Sequence, residues 1–330
     1  MKLDRRCVLA GGLAVVASPF VSRIGFGAPA APLRVAVLKF GSLNWLMDTV
    51  VSEKIDEQAG VDLDLIQVAT NSAGPLSLMA DSADVIVSDW LWAMRQRSKG
   101  VKLKFAPYSS ALGSVMVSAE SGVRSIADLR GKKIGVAGSP IDKSWLLLRA
   151  YSRKTIGEDI SSFARPVYGA APLVAEELKI GRVDAVLNFW TFTARLKGRG
   201  FVPIETMDNV LGKLGIAPVP PLVGYVWKEE TQAKKPDAFN AFFKAINKGN
   251  EVLSSSDPSW EGLRGRMRAK SDLEFMALRD GYRSGIPDAW TGVHTASAEK
   301  LFDLFSQYGK AKLVGAKTSF DPELFYVTGA

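Results

Sequence analysis

Four tryptophans fall into two pairs with one spacing: Trp45 and Trp145, and Trp90 and Trp190, are each 100 positions apart. Each stands near polar or charged residues at the end of a short apolar run. Ser42 and Asn44 precede Trp45; Asp89 precedes Trp90, with Trp92 two positions beyond. Ser139, Asp142, Lys143 and Ser144 precede Trp145, and Asn188 and Phe189 precede Trp190. Flat rings with a few hydroxyls, amides and single charges are binding chemistry. They stack on a planar solute, hold a cation over a ring face, or take an anion at Lys143 and at helix N-termini. They are not the parts of covalent catalysis, which needs an activated Ser, Cys or Lys beside a positioned base. The chain has one histidine, His294, and one cysteine, Cys7. It has no G-x-S-x-G, H-E-x-x-H, P-loop or G-x-G-x-x-G motif. Each candidate also has an ordinary structural use: tryptophans fill cores, Asp89 and Asp142 stand where helix caps belong, and Lys143 suits a solvated face.

Trp90 and Trp92 sharpen the choice. On a helix, residues two apart point about 200° from one another, so one packing face cannot bury both.

The elements that would position these residues follow from periodicity. Leu33 to Leu38 reads as a buried strand, closed by a Gly41-Ser42 turn, with a helix expected over about 46–58. "VDLDLIQV" and "DVIVSD" read as two further strands with a short helix between them. The β-α-β-α-β order points to a parallel sheet covered by helices. The same order then returns in "GKKIGVAGSPIDKSW", "RPVYGA" and "RVDAVLNFWTFTARLKGRGF". At an offset of 100, Asp84 falls on Asp184, Ile86 on Val186, Trp92 on Phe192, Arg95 on Arg195 and Gly100 on Gly200. A whole strand–Trp–helix block in register argues for two lobes of one design. Asp84 and Asp184, each leading into an apolar strand, read as structural. Residues 106–121, with Ser109 and Ser110, read as the crossing between lobes, and residues 214–230 as the return. Helical patterns alone follow, expected to pack on lobe one with the last crossing towards lobe two. The division expected is 1–30 a leader, 31–110 the first part of lobe one, 111–217 lobe two, and 218–330 the return to lobe one plus C-terminal helices.

Residues 1–30 have a charged start with Arg5-Arg6, an apolar run of about fifteen residues and an Ala28-Pro29-Ala30 exit, the pattern of an export signal. The arginine pair resembles a twin-arginine signal, with Asp4 and Val8 departing from it. Four of the 42 Lys and Arg and one of the 34 Asp and Glu fall in this segment, so the net charge drops from +8 to +5 without it. Cys7 would leave as well, taking with it any disulfide or thiolate chemistry. The mild positive excess suits an anionic ligand, and nothing resembles a nucleic-acid-binding pattern or a metal-ligand spacing.

An export signal, two α/β lobes, two crossings and a helical tail together resemble the periplasmic solute-binding proteins of ABC importers. The resemblance is to the nitrate/sulfonate/taurine and thiamine-precursor branch, through "LRVAVLKFGSLNW", "ADVIVSDWLWAMRQRSKG", "SIADLRGKKIGVAGSP" and "GRVDAVLNFWTFTARL". It implies the type II two-lobed periplasmic-binding-protein fold, a monomer that closes on a solute between its lobes, and delivery to an inner-membrane permease and its ATPase. It implies a binding protein rather than an enzyme, with no required cofactor, no metal and no nucleic acid. In that fold the ligand-facing residues would be Ser42, Asn44, Trp45, Asp89, Trp90, Trp92, Ser109, Ser110, Ser139, Asp142, Lys143, Ser144, Trp145, Asn188, Phe189 and Trp190, with Trp90 and Trp190 on opposite walls. Asp89 and Asp142 favour a cation; Lys143, net charge and helix N-termini favour an anion. The expected solute is planar, aromatic and anionic, and resemblance to binding proteins of quinoprotein systems names pyrroloquinoline quinone, itself a cofactor. Sulfonates, nitrate and thiamine-pyrimidine precursors are the alternatives, followed by an exported sensor or an enzyme on the same fold.

Overall fold

The computed structural model describes residues 31–39 and 41–327. The expected leader lies outside them. The first lobe is built on a sheet of β1 (Leu33–Leu38), β2 (Leu63–Val68), β3 (Val85–Asp89), β4 (Leu103–Ser109) and, from much later in the chain, β10 (Val223–Lys228). Its helices up to the crossing are α1 (Leu43–Ser52), α2 (Ile55–Ala59), α3 (Ala73–Met79) and α4 (Trp90–Arg97). The second lobe carries β5 (Ser114–Ser118), β6 (Lys133–Ala137), β7 (Arg165–Gly169), β8 (Ala185–Asn188) and β9 (Phe201–Thr206). Its helices are α5 (Lys143–Ile156), α6 (Ile160–Phe163), α7 (Ala171–Lys179), α8 (Trp190–Lys197) and α9 (Met207–Leu214). The tail is α10 (Glu229–Lys234), α11 (Pro236–Ser255), α12 (Asp257–Met267), α13 (Asp272–Arg283) and α14 (Gly292–Val314).

The strand orders are β2-β1-β3-β10-β4 and β7-β6-β8-β5-β9. They are one topology used twice. In each sheet three parallel strands are followed by an antiparallel one, β10 or β5, that arrives from the crossing. The offset of about 100 residues holds from β1/β6 through α4/α8. Asp84 and Asp184 do the same work in both lobes. Asp84 accepts the Arg34 backbone N–H at 2.9 Å and Asp184 that of Lys133 at 2.7 Å, each fastening the start of the lobe's first strand. Arg34 and Lys235 add side-chain bonds to Asp84. The chain crosses between Ser109 and Ser114 and returns between Thr206 and Val223. The expected helix over 46–58 breaks in two. Lys54 takes a left-handed φ of 56°, which turns the chain so that Ile55 enters the core.

The tail does more than cover lobe one. α11 and α12 pack on α1, but α13 packs along α8 of the second lobe, and α14 lies against both α4 and α5. Two arginines at the repeated position anchor these helices. Arg95 on α4 donates to the Leu313 carbonyl at the end of α14. Arg195 on α8 donates to the Met267 and Arg268 carbonyls at the end of α12, at 2.7 and 3.3 Å. A guanidinium satisfies helix-terminal carbonyls and opposes the negative dipole end. Among the described residues, no helix is long and apolar enough to cross a membrane.

Candidate functional site

Four helix N-termini from the two lobes meet in pairs. The first turns of α4 and α5 are joined by Asp89 and Lys143, with Nζ 3.4 Å from Oδ2. The first turns of α1 and α8 are joined by Trp45 and Trp190, edge to face at 6.0 Å between ring centroids. This follows from the fold: in open parallel sheets the helices that follow the strands start at the carboxyl ends, where ligands sit.

The pairs differ in charge. Asp89 caps α4 by accepting the Trp92 N–H at 2.9 Å, and Asp142 caps α5 by accepting that of Trp145 at 3.2 Å. No side chain caps α1 at Ser42 or α8 at Phe189. So the two acid-capped helices face each other, and so do the two uncapped ones. Burial would push the Asp89 carboxyl up, but the charge of Lys143, the Trp92 amide and Arg95 outweigh it and hold it below the usual carboxylate range. Asp142 goes the other way: burial raises it, and its backbone amides and Lys143 do not offset that.

The sign matters for stability. A depressed carboxyl such as Asp89 contributes stability above its unfolded range, and the contribution is lost as pH falls through the folded value. A raised carboxyl such as Asp142 favours the fold when protonated and weighs against it once ionised. Asn caps helices about as well as Asp. Asp142→Asn is therefore expected to leave stability at pH 7 equal to wild type or higher, within about 1 kcal/mol. Any gain should shrink as pH falls into the carboxyl range, measured by urea midpoints at several pH values. A loss of stability at pH 7 that persists in acid would contradict it.

Several residues expected to face a ligand are buried or engaged within the fold. Trp90 is fully buried, not on a cleft wall; its ring meets Phe325 at 6.1 Å, and its indole N–H has no hydrogen-bond partner among the described residues. The expected Trp90–Trp190 pair does not form, because Phe325, 235 positions later in the chain, covers Trp90. Trp145 is buried against Tyr168, and Trp45 also packs on Trp260 and Tyr282. Trp92 is half-buried against the core that α4, α5 and α14 share. Asn188 is buried and bonds the Ala171 carbonyl and the Phe189 N–H, both at 2.8 Å. Asn44 bonds the end of β1 and receives Gln67 at 3.3 Å. Ser42 shares a 2.9 Å hydrogen bond with the buried Tyr108 hydroxyl, whose pKa burial pushes up. Ser109 and Ser139 accept the N–H groups of Ala111 and Ile141, and the Ser110 N–H bonds the Gly285 carbonyl at 2.8 Å. Ser144 is half-buried on the first turn of α5.

Of the expected set, Phe189 is 42% exposed and Ser139 exposed, while Asn44, Asp89, Trp92, Ser109, Ser110, Asp142, Lys143, Ser144 and Trp190 are half-buried. Tyr108 is a neighbour that the sequence did not single out; its only signal was its place beside Ser109 at the end of β4. His294 is a local cap, its Nδ1 2.9 Å from Thr291 Oγ1. A cavity of about 670 Å³ lies away from the lobe contacts, between α2, α11 and Tyr326. Among the described residues, no cluster of His, Cys, Asp and Glu could hold a metal ion.

Two sheets of one topology, helix starts facing each other and a helical tail across both lobes define the type II periplasmic-binding-protein fold. The solved structures agree. The periplasmic aliphatic sulphonate binding protein SsuA from Escherichia coli matches with a TM-score of 0.71 at 13% identity, over 91% of this chain and 93% of that one. The alkanesulfonate-binding protein SsuA from Xanthomonas axonopodis pv. citri, bound to MOPS, matches with a TM-score of 0.67 at 16% identity, over 91% and 99%. The desulfurization enzyme DSZB matches with a TM-score of 0.60 at 13% identity, over 88% and 97%, so the fold also serves catalysis. The family model described as NMT1/THI5 like matches residues 57–257, and the chain belongs to that family. No curated protein sequence matches it.

Proposed function

We propose that this is the exported solute-binding protein of an ABC importer, and that it captures a small organic anion between its lobes for delivery to a permease. The observation that carries the anion is the capping pattern. Asp89 and Asp142 occupy the N-termini of α4 and α5, while the opposed N-termini of α1 and α8 carry no side-chain cap. Uncapped helix starts with their positive dipole ends suit a sulfonate or carboxylate head. Lys143, in a long 3.4 Å contact to Asp89 at the starts of α4 and α5, is the charged donor on the facing pair of helix starts and adds a second argument for an anion. The sulfonate binders among the structural relatives support a sulfonate head.

A planar aromatic anion, with pyrroloquinoline quinone as the named candidate, is the second reading. The exposed Phe189 beside Trp190 supports it; Trp45, Trp90 and Trp145, which would have added flat walls for a planar ring, are buried.

Native mass spectrometry of gently purified protein should show a bound organic anion. Butanesulfonate and pyrroloquinoline quinone are then titrated against tryptophan fluorescence. Lys143→Gln is expected to weaken the ligand that binds tenfold or more, since a charge-assisted hydrogen bond contributes about 1.5–3 kcal/mol. Equal affinity in the variant, or no anion bound, would overturn the reading. Unchanged uptake of the solute after gene deletion would remove the importer role.

A further inference from the structure

The contact between α8 and α13 holds a second charged site. The two helices run antiparallel: a Cβ on Gly281 would touch the Trp190 ring at 3.1 Å, and one on Gly198 would fall 2.5 Å from Glu274 Cα. Backbone therefore lies against backbone at Gly198. Glu274 is buried beneath this contact at 1% exposure. One of its oxygens receives Arg195 of α8; the other makes no hydrogen bond and stands 3.5 Å from Arg199 Nε. Beside them is a cavity of about 170 Å³ between α7, α8 and the turn before α13. Four cations line it, Lys179, Arg195, Arg199 and Lys270, against two carboxylates, Glu176 and Glu274.

Lys179 is paired with Glu176, and Arg195 with Glu274. That leaves two sets of donors. Lys270 makes no ion pair or hydrogen bond among the described residues, and Arg199 approaches Glu274 through Nε while its terminal amino groups make no hydrogen bond among the described residues. The cavity falls below the 300–1,000 Å³ of ordinary small-molecule sites, so it has no room for a solute of the size the cleft would take. The terminal amino groups of a guanidinium are matched to oxyanions, and an ammonium supplies a mobile point charge.

We propose that this cavity binds one small inorganic oxyanion, held by Arg199 of the second lobe and Lys270 of the tail turn, and that the bound ion fastens α8 to α13. The ion joins the two sides of an interlobe contact, so it stabilises the conformation in which they meet. The site is separate from the cleft, and its test does not depend on what the cleft holds.

The test titrates inorganic sulfate against chloride at fixed ionic strength in the low millimolar range, by calorimetry. That range lies below the general stabilising effect of sulfate on proteins. One sulfate that depends on Arg199 and Lys270 is expected, distinct from any that the cleft takes up at Lys143. The Arg199→Gln/Lys270→Gln double variant should bind it at least tenfold more weakly, and Arg199→Lys/Lys270→Arg within about threefold of wild type. Both pairs are at the surface, and circular dichroism checks that each variant is folded. Lys143→Gln should leave the affinity unchanged. The proposal is overturned if the Gln double variant binds sulfate as wild type does, if Lys143→Gln abolishes binding, or if chloride gives the same heat.

Discussion

Gly113→Ala is expected to cost about 4 kcal/mol or more of stability, among the largest effects a single methyl group can have. Gly113 sits in the crossing between the lobes. A Cβ there would lie 1.8 Å from the Asn188 carbonyl oxygen and 3.3 Å from Phe189 Cα. Both are backbone atoms, so no rotamer change relieves the overlap, and β5 would have to move away from β8 just where Ser114 pairs with Asn188. The Gly113 carbonyl also accepts the Met207 N–H at 3.1 Å, tying the crossing to the start of α9. The need is for space, because Gly113 is not among the glycines with positive φ. Gly212→Ala in α9, where nothing lies within 4 Å of an added Cβ, should instead gain about 0.5–1 kcal/mol. Urea unfolding of the two variants checks both signs. A Gly113→Ala protein within 1 kcal/mol of wild type would mean the crossing does not pass this close to β8.

The contrast between these glycines shows where sequence reading stops. The offset of 100 residues located both lobes, the paired strands and helices, and the matched roles of Asp84 and Asp184, because those features depend on local pattern repeated in order. Nothing local distinguishes Gly113 from Gly212. The tryptophans show the same limit. Trp90 and Trp190 occupy one backbone position in the repeat, the first residue of a helix after the lobe's third parallel strand. What covers that position comes in part from the tail, and the tail is not repeated. Phe325 lies on Trp90, whereas Gly281 and Trp45 lie on Trp190. Arg95 and Arg195 repeat in the same way, yet one caps α14 and the other α12. Backbone symmetry is legible from spacing; the direction and burial of a side chain depend on elements far away in sequence. Of the tryptophans expected to face a ligand, Trp45, Trp90 and Trp145 are buried, Trp92 and Trp190 are half-buried, and Trp190 meets Trp45 where the lobes touch.

That joint sets the second large effect. Trp190→Ala is expected to weaken ligand binding about tenfold while leaving each lobe folded. Trp190 is half-buried and meets Trp45 edge to face across the lobe contact. Such a pair contributes about 0.5–1.5 kcal/mol beyond the area it buries. Removing one ring lowers the population of the closed arrangement. If the solute binds that arrangement, its apparent affinity falls by the same factor, and 1.4 kcal/mol is tenfold. Trp45→Ala and Trp90→Ala behave differently, because both rings are buried at 4% and 0% exposure. Emptying either site should cost about 3–5 kcal/mol of stability. Calorimetric affinity, urea midpoints and small-angle scattering separate the cases. Trp190→Ala should show weaker binding and a more open particle at nearly wild-type stability, whereas Trp90→Ala should show the reverse emphasis. Wild-type affinity in Trp190→Ala, with an unchanged particle shape, would mean that the α8–α13 contact holds the lobes together without this ring. The burden would then pass to Arg195 and Glu274 on the same helices.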